Sequence, residues 1–76
     1  MPKLPVVTGA EVVRALRRAG FVVRRHTGSH TIMRHPGTMR SASVPVHSGE
    51  DLPPGTLRQI IADAGLTVEQ FRRLLK

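Results

Sequence analysis

The chain alternates between two hydrophobic periods, and each change of period marks a change of element. After Thr8, apolar residues recur at Val12, Leu16 and Ala19, the i, i+4, i+7 spacing of one helix face, while Arg14, Arg17 and Arg18 fall off that stripe. Thr8-x-x-Glu11 is a capping box that starts such a helix, and Gly20 suits its left-handed stop. The run from Phe21 to Arg25 is short and β-branched, Gly28-Ser29 makes a tight turn, and His30 to His35 follows as a second extended run. These runs predict a β-hairpin. Ile32 and Met33 are adjacent and both apolar, so the pattern leaves open which face of the second strand is buried. Pro36-Gly37 ends that strand, and Ser41 to His47 reads as a third, with Val44 and Val46 on one face. Pro45 has no N–H for a ladder, so the third strand is expected to lie at an edge or to end there. A polar loop from Ser48 to Pro53 leads to Pro54, a good first helical residue, and Leu57, Ile60, Ile61 and Ala64 return to the helical period. Gly65 stops this helix, and Thr67-x-x-Gln70 opens a short terminal one whose Phe71, Leu74 and Leu75 can close over the core.

The predicted order is α-β-β-β-α with a short extra C-terminal helix. Strands gathered between helices imply an α+β two-layer sandwich, with a three-stranded antiparallel sheet carrying helices on one face. A chain of 76 residues supports one core, so we expect a short extension over residues 1–7 and a single domain over residues 8–76. The absence of cysteine excludes disulfides, thiolate metal sites and cysteine nucleophiles, and suits a reducing compartment such as the cytoplasm. No apolar run approaches bilayer length, and Met1 to Val7 is too short and too Pro-rich for a signal peptide, so no membrane association is expected.

Charge changes the picture more than composition does. Twelve Lys and Arg against five Asp and Glu leave a net charge of +7. No acid occurs between Glu11 and Glu50, yet that stretch holds Arg14, Arg17, Arg18, Arg24, Arg25, Arg34 and Arg40. The whole net charge therefore belongs to one continuous half of the chain, the footprint of a polyanion-binding face. Arginine predominates, and its planar fork matches phosphate geometry. Arg24, Arg25 and Arg34, in the proposed sheet, are equally readable as solvated edge charges or as phosphate ligands. The backbone N–H groups of Gly28 and Ser29 could also cradle a phosphate. With two Phe and no Trp or Tyr, the chain lacks an aromatic platform for stacking bases, so RNA contacts should be led by phosphate.

Histidine is the side chain that moves protons near neutrality, and all four histidines fall in the acid-free stretch. Such a surround favours a neutral imidazole able to act as base. If the second and third strands pair around a turn near Pro36, the start of one lies beside the end of the other, and His30 approaches His47. A metal site is not expected, because the Thr27-Gly28-Ser29 turn removes the helical i, i+4 geometry that His26 and His30 would need.

Several blocks resemble one known family. They are Ala19-Gly20-Phe21, Gly28-Ser29-His30 with Ile32-Met33 and Arg34-His35-Pro36, then Val44-Pro45-Val46-His47, then Pro54-Gly55-Thr56-Leu57 with Ile60-Ile61 and Ala64-Gly65-Leu66. In order and spacing the chain is similar to the HicA (YcfA-like) toxins, mRNA interferases of type II toxin–antitoxin systems. The resemblance implies a double-stranded-RNA-binding-domain-like fold and a small endoribonuclease that cleaves mRNA without metal or other cofactor. It implies a catalytic role for His30, the histidine of the Gly-Ser-His motif, and a cognate HicB-type antitoxin that covers the active site and represses the shared operon. His47 is the candidate for the second proton transfer, and either assignment of acid and base is open. The chain departs from the family pattern at Glu50-Asp51, where lysine is frequent, and at Met33, where an aromatic is frequent. The alternatives from other classes are a non-catalytic double-stranded RNA or DNA binder of the same fold and a module whose basic face meets an acidic protein.

Overall fold

Thr8 opens the first helix by supplying partners that the helix itself lacks. In the computed structural model, which describes residues 3–76, helix α1 spans Gly9–Arg18. Thr8 Oγ1 accepts from Glu11 N at 3.3 Å, and a Glu11 carboxylate oxygen accepts from Thr8 N at 2.9 Å, so both halves of the capping box form. Helix α2 spans Pro54–Asp63 and α3 spans Val68–Leu74, the latter capped by the reciprocal pair Thr67 and Gln70. Gly20 and Gly65 follow α1 and α2 at φ of +100° and +75°, backbone angles that a residue with a Cβ adopts at a cost.

Between the first two helices the chain forms β1 (Val22–Thr27), β2 (His30–Arg34) and β3 (Ser41–Pro45), an antiparallel sheet in the order β1-β2-β3. Its boundaries differ from the expected ones for local reasons. Phe21 leaves the strand because its N–H bonds the Leu16 carbonyl at 2.9 Å and its ring enters the core. The third strand stops at Pro45, two residues short of His47, because proline cannot extend the ladder. Past that point Val46 N–H turns to the Ser29 carbonyl at 2.7 Å.

The buried face of β2 is the Met33 face, not the Ile32 face. Thr31 and Met33 are buried opposite Val44 and Ala42 of β3, while Ile32 is partly open. α1 packs on β2 and β3, α2 lies along β3, and α3 meets both other helices, so all three cover one side of the sheet. Phe71, Leu16, Met33, Leu57, Val12 and Val44 are the largest fully buried side chains. Val7 joins this core, and its carbonyl accepts from Leu52 N at 2.8 Å, which ties the start of the chain to the loop before α2. Met1 and Pro2, part of the expected extension, lie outside the described residues.

The capping box carries a pH dependence. The Thr8 backbone N–H first, and its hydroxyl second, hold the Glu11 carboxyl below the usual carboxylate range. A lowered folded-state value means that the stabilisation is complete above the ordinary glutamate range and is lost as pH falls through the lowered one. Thr8→Ala should cost about 1 kcal/mol at neutral pH. Glu11→Ala, which removes the carboxyl itself, tests the pH dependence: urea unfolding should show its gap from wild type narrowing in acid, and a gap independent of pH would refute the assignment.

Candidate active site and nucleic-acid face

Strand alternation decides which residues can meet a ligand. Because successive side chains on β2 point to opposite faces, burial of Thr31 and Met33 against the helices places His30, Ile32 and Arg34 on the open face. The partner strands follow the same rule. His30 stands between Thr27 and Pro45, Ile32 between Arg25 and Ser43, and Arg34 between Val22 and Ser41. The β1–β2 register shifts between Val23 and Arg25, so Arg24 is the extra residue of a bulge, an arrangement that bends the strand and redirects its side chains. Arg24, Arg25 and Arg34 consequently gather around one depression on the open face, together with Ile32 and Ser41.

The other four arginines of the acid-free stretch are placed elsewhere. Arg18 donates to the carbonyls of Leu74, at 2.6 Å, and Lys76, closing the C-terminal end of α3. Arg40 reaches the Asp63 carbonyl at the end of α2, at 3.5 Å. Arg14 and Arg17 are exposed on α1, which packs on the opposite side of the sheet. Of the seven charges, three are therefore on the same sheet face as His30.

His30 and His47 line a single cleft of about 380 Å³. The end of β3 brings them there: His30 pairs with Pro45, and the Val46 bond to Ser29 draws the next residues toward the Gly28-Ser29 turn. Both histidines are exposed, as are Gly28 and Ser29. The remaining walls come from Leu52, Pro53 and Thr56, and from Glu50 and Asp51. Those two carboxylates correct the expectation of a uniformly positive surround. The Leu52 bond to Val7 and a bridge between Thr8 and Asp51 carry the loop back beside the histidines, and these contacts join residues far apart in the chain. No spacing in the sequence signals them.

The other two histidines have structural partners. His35 Nδ1 accepts from the backbone N–H groups of Gly37 and Thr38 at 3.0 and 3.1 Å, and its ring meets Phe21 edge-on at 5.3 Å. It organises the β2–β3 turn. His26 Nδ1 lies 3.1 Å from the hydroxyl of Thr31, a buried residue. Among the described residues no group of three or more His, Asp or Glu side chains is arranged to hold a metal ion, and no helix is long and apolar enough to cross a membrane. Two imidazoles share one open cleft at the end of the β2–β3 ladder, and imidazole is the group most often used for general acid–base chemistry.

One residue that sequence reasoning overlooks supports this arrangement. Gly9, the first residue of α1, lies against the backbone of Pro45 and Val46, where a Cβ would fall on the Pro45 carbonyl oxygen and 3.0 Å from Val46 Cα. It lets the helix start close against the segment that leads to His47.

Among curated proteins, no sequence matches the chain. A family model described as the HicA toxin of bacterial toxin–antitoxin systems matches residues 9–66. The matched span runs from the first residue of α1 through the stop of α2, and takes in the whole sheet, both cleft histidines and the loop bearing Glu50 and Asp51. A match over most of the chain, on the elements that build the cleft, places this protein in the HicA family of toxins of bacterial toxin–antitoxin systems.

Proposed function

We propose that this toxin is a metal-independent endoribonuclease acting on mRNA in the cytoplasm, with His30 and His47 performing the proton transfers. The observation that carries this reading is the shared cleft of the two histidines, at the edge of an open face holding Arg24, Arg25 and Arg34. His30 takes the proton from a ribose 2′-OH, and the 2′ oxygen forms a bond to the adjacent phosphorus as the bond from phosphorus to the 5′ oxygen breaks. His47 gives the leaving 5′ oxygen its proton. The products are a 2′,3′-cyclic phosphate and a free 5′-hydroxyl; the reverse assignment of the two histidines balances equally. The guanidinium groups of Arg24, Arg25 and Arg34, on the adjoining open face, attract the strand's phosphates and hold them next to the cleft. The backbone N–H groups of the Gly28-Ser29 turn, beside His30, are suited to hold a neighbouring phosphate.

As a toxin of such a system the protein has a cognate antitoxin. We take that partner to be of HicB type, closing the cleft against RNA. A second reading, a binder of RNA or DNA without catalysis, is favoured by Glu50 and Asp51 in the cleft, since their charge opposes a phosphate beside His30.

The chemistry is tested with an unstructured RNA in EDTA, beside the same strand carrying 2′-deoxyribose at the cleaved position. The normal strand should yield a 2′,3′-cyclic phosphate end, and the deoxy strand should stay whole. Cutting of the deoxy strand at that position would refute attack by the 2′-OH, and dependence on added metal would refute the metal-independent mechanism.

A further inference from the structure

The open sheet face carries an apolar feature that the two histidines do not use. At the opposite end of the β1–β2 ladder from His30, Val22 is 50% exposed and, in the adjoining turn, Met39 is 59% exposed. With Pro36 and the flanking Arg24 and Arg34, they line a shallow depression of about 170 Å³. Met39 has a φ of 65°, the only positive value among the described non-glycine residues. The His35 turn holds it there, through Met39 N to the His35 carbonyl and His35 N to the Arg40 carbonyl, each at 2.8 Å. The chain thus keeps a large side chain exposed, touched at its sulfur by Arg34 at 3.5 Å, in a backbone conformation that disfavours a Cβ. Such a combination points to an occupant.

The distribution of charge identifies the occupant's chemistry. The depression shares Arg24 and Arg34 with the neighbouring one that contains Arg25 and Ile32, and the two together run along the sheet toward His30. On the other side of His30 stand Glu50 and Asp51, with Asp63 farther along α2. An anionic strand leaving His30 is repelled by the α2 side and drawn across the β1 side. His30 and Arg34 stand four steps apart along β2, roughly 14 Å, the reach of a few nucleotides. At the end of that track, an apolar floor between two guanidinium groups accepts a flat ring whose neighbouring phosphates are negative.

We propose that Val22, Pro36 and Met39 form a base-binding subsite for a nucleotide flanking the scissile phosphate, with Arg24 and Arg34 on its phosphates. The position of the scissile phosphate rests on the ribonuclease reading above; the binding of a base does not. Met39→Gly removes the side chain, and with it the 3.5 Å contact from Arg34 to its sulfur, without backbone strain because glycine accepts the φ of 65°. Val22→Ser, on the same face, is the second variant.

The probe is a fluorescent, unstructured RNA blocked by a 2′-O-methyl group at the cleaved position, together with a series bearing a single abasic site at each flanking position. Wild type should lose about fivefold in affinity at one abasic position, the low end of the range for base stacking on aromatic rings. Met39→Gly should bind the full RNA about fivefold more weakly and show no further loss at that position. Equal affinity of both variants and wild type would overturn the proposal, as would a wild type indifferent to every abasic position. So would variants that keep their RNA affinity but no longer bind a protein partner, an outcome that would assign the patch to protein docking. Base-dependent binding that needs Met39, from a protein that cuts no RNA, would uphold the subsite and refute the ribonuclease reading alone.

Discussion

His30→Ala is expected to slow RNA cleavage by orders of magnitude while leaving the fold unchanged. The side chain is exposed, lies on the open face of β2 and has no hydrogen-bond partner among the described residues, so its removal should alter stability by no more than about 0.5 kcal/mol. A positioned general base contributes roughly 10²- to 10⁴-fold to rate, and loss of that order is the expected result. His47→Ala should fall in the same range, and the double variant should lose little more than either single one, because the two groups serve one proton-transfer cycle. The measurement is cleavage rate on a defined RNA, with circular dichroism and urea unfolding as controls on folding. Undiminished cleavage by a folded His30→Ala protein would remove this residue from the mechanism. Lost cleavage with unchanged RNA affinity would set the enzyme apart from a simple binding module, for which the substitution should touch affinity alone.

The second large effect is expected at Gly9, where the usual sign of a substitution is reversed. Replacing a helical glycine by alanine ordinarily stabilises by about 0.5–1 kcal/mol. At Gly9 the added methyl meets the backbone of Pro45 and Val46, atoms that cannot swing aside as the end of a side chain can. Gly9→Ala should therefore destabilise the protein by about 3 kcal/mol, the upper part of the range for overpacking. Gly55, in the first turn of α2, is the internal control, since a Cβ there would meet nothing within 4 Å. Gly55→Ala should be stabilising by about 0.5 kcal/mol. Urea unfolding of the two variants decides the matter, and a Gly9→Ala protein as stable as the wild type would show that the approach of α1 to β3 is not tight. At temperatures where Gly9→Ala remains folded, cleavage should still fall, because the methyl displaces the residues that place His47 in the cleft.

Family membership and the local elements are legible at different depths. The matched family covers residues 9–66, and the blocks that carry the resemblance, from Ala19-Gly20-Phe21 to Ala64-Gly65-Leu66, lie within it. Those blocks point to His30 and to a toxin. They say nothing about how charge is arranged around His30. The seven arginines from Arg14 to Arg40 read in sequence as one basic stretch, yet Arg18 and Arg40 reach carbonyls at helix ends, Arg14 and Arg17 stand exposed on α1, and three reach the open face. Glu50 and Asp51 read as a departure in a loop, yet they stand in the histidine cleft. Met39 is unremarked by any periodicity, because neither its φ nor its exposure can be inferred from neighbouring residue types.

What the amino-acid sequence determined by itself is the set of features settled within a few residues. Both capping boxes, the stops at Gly20 and Gly65, the hairpin turn at Gly28-Ser29 and the edge position of the strand containing Pro45 follow from short-range hydrogen bonding and backbone sterics, and all are present. What only the tertiary structure decided is every property that depends on two distant segments meeting. The burial of Met33 in place of Ile32 is one, since either register satisfies the strand alone and packing against the helices selects between them. The approach of Gly9 to Pro45 is another, as is the return of the loop at Asp51 to Thr8. The histidine cleft divides between the two groups: the approach of His30 to His47 follows from the antiparallel pairing that the turn near Pro36 predicts, whereas the loop bearing Glu50 and Asp51 is brought beside them by backbone contacts to Val7 and Thr8 that no local pattern signals.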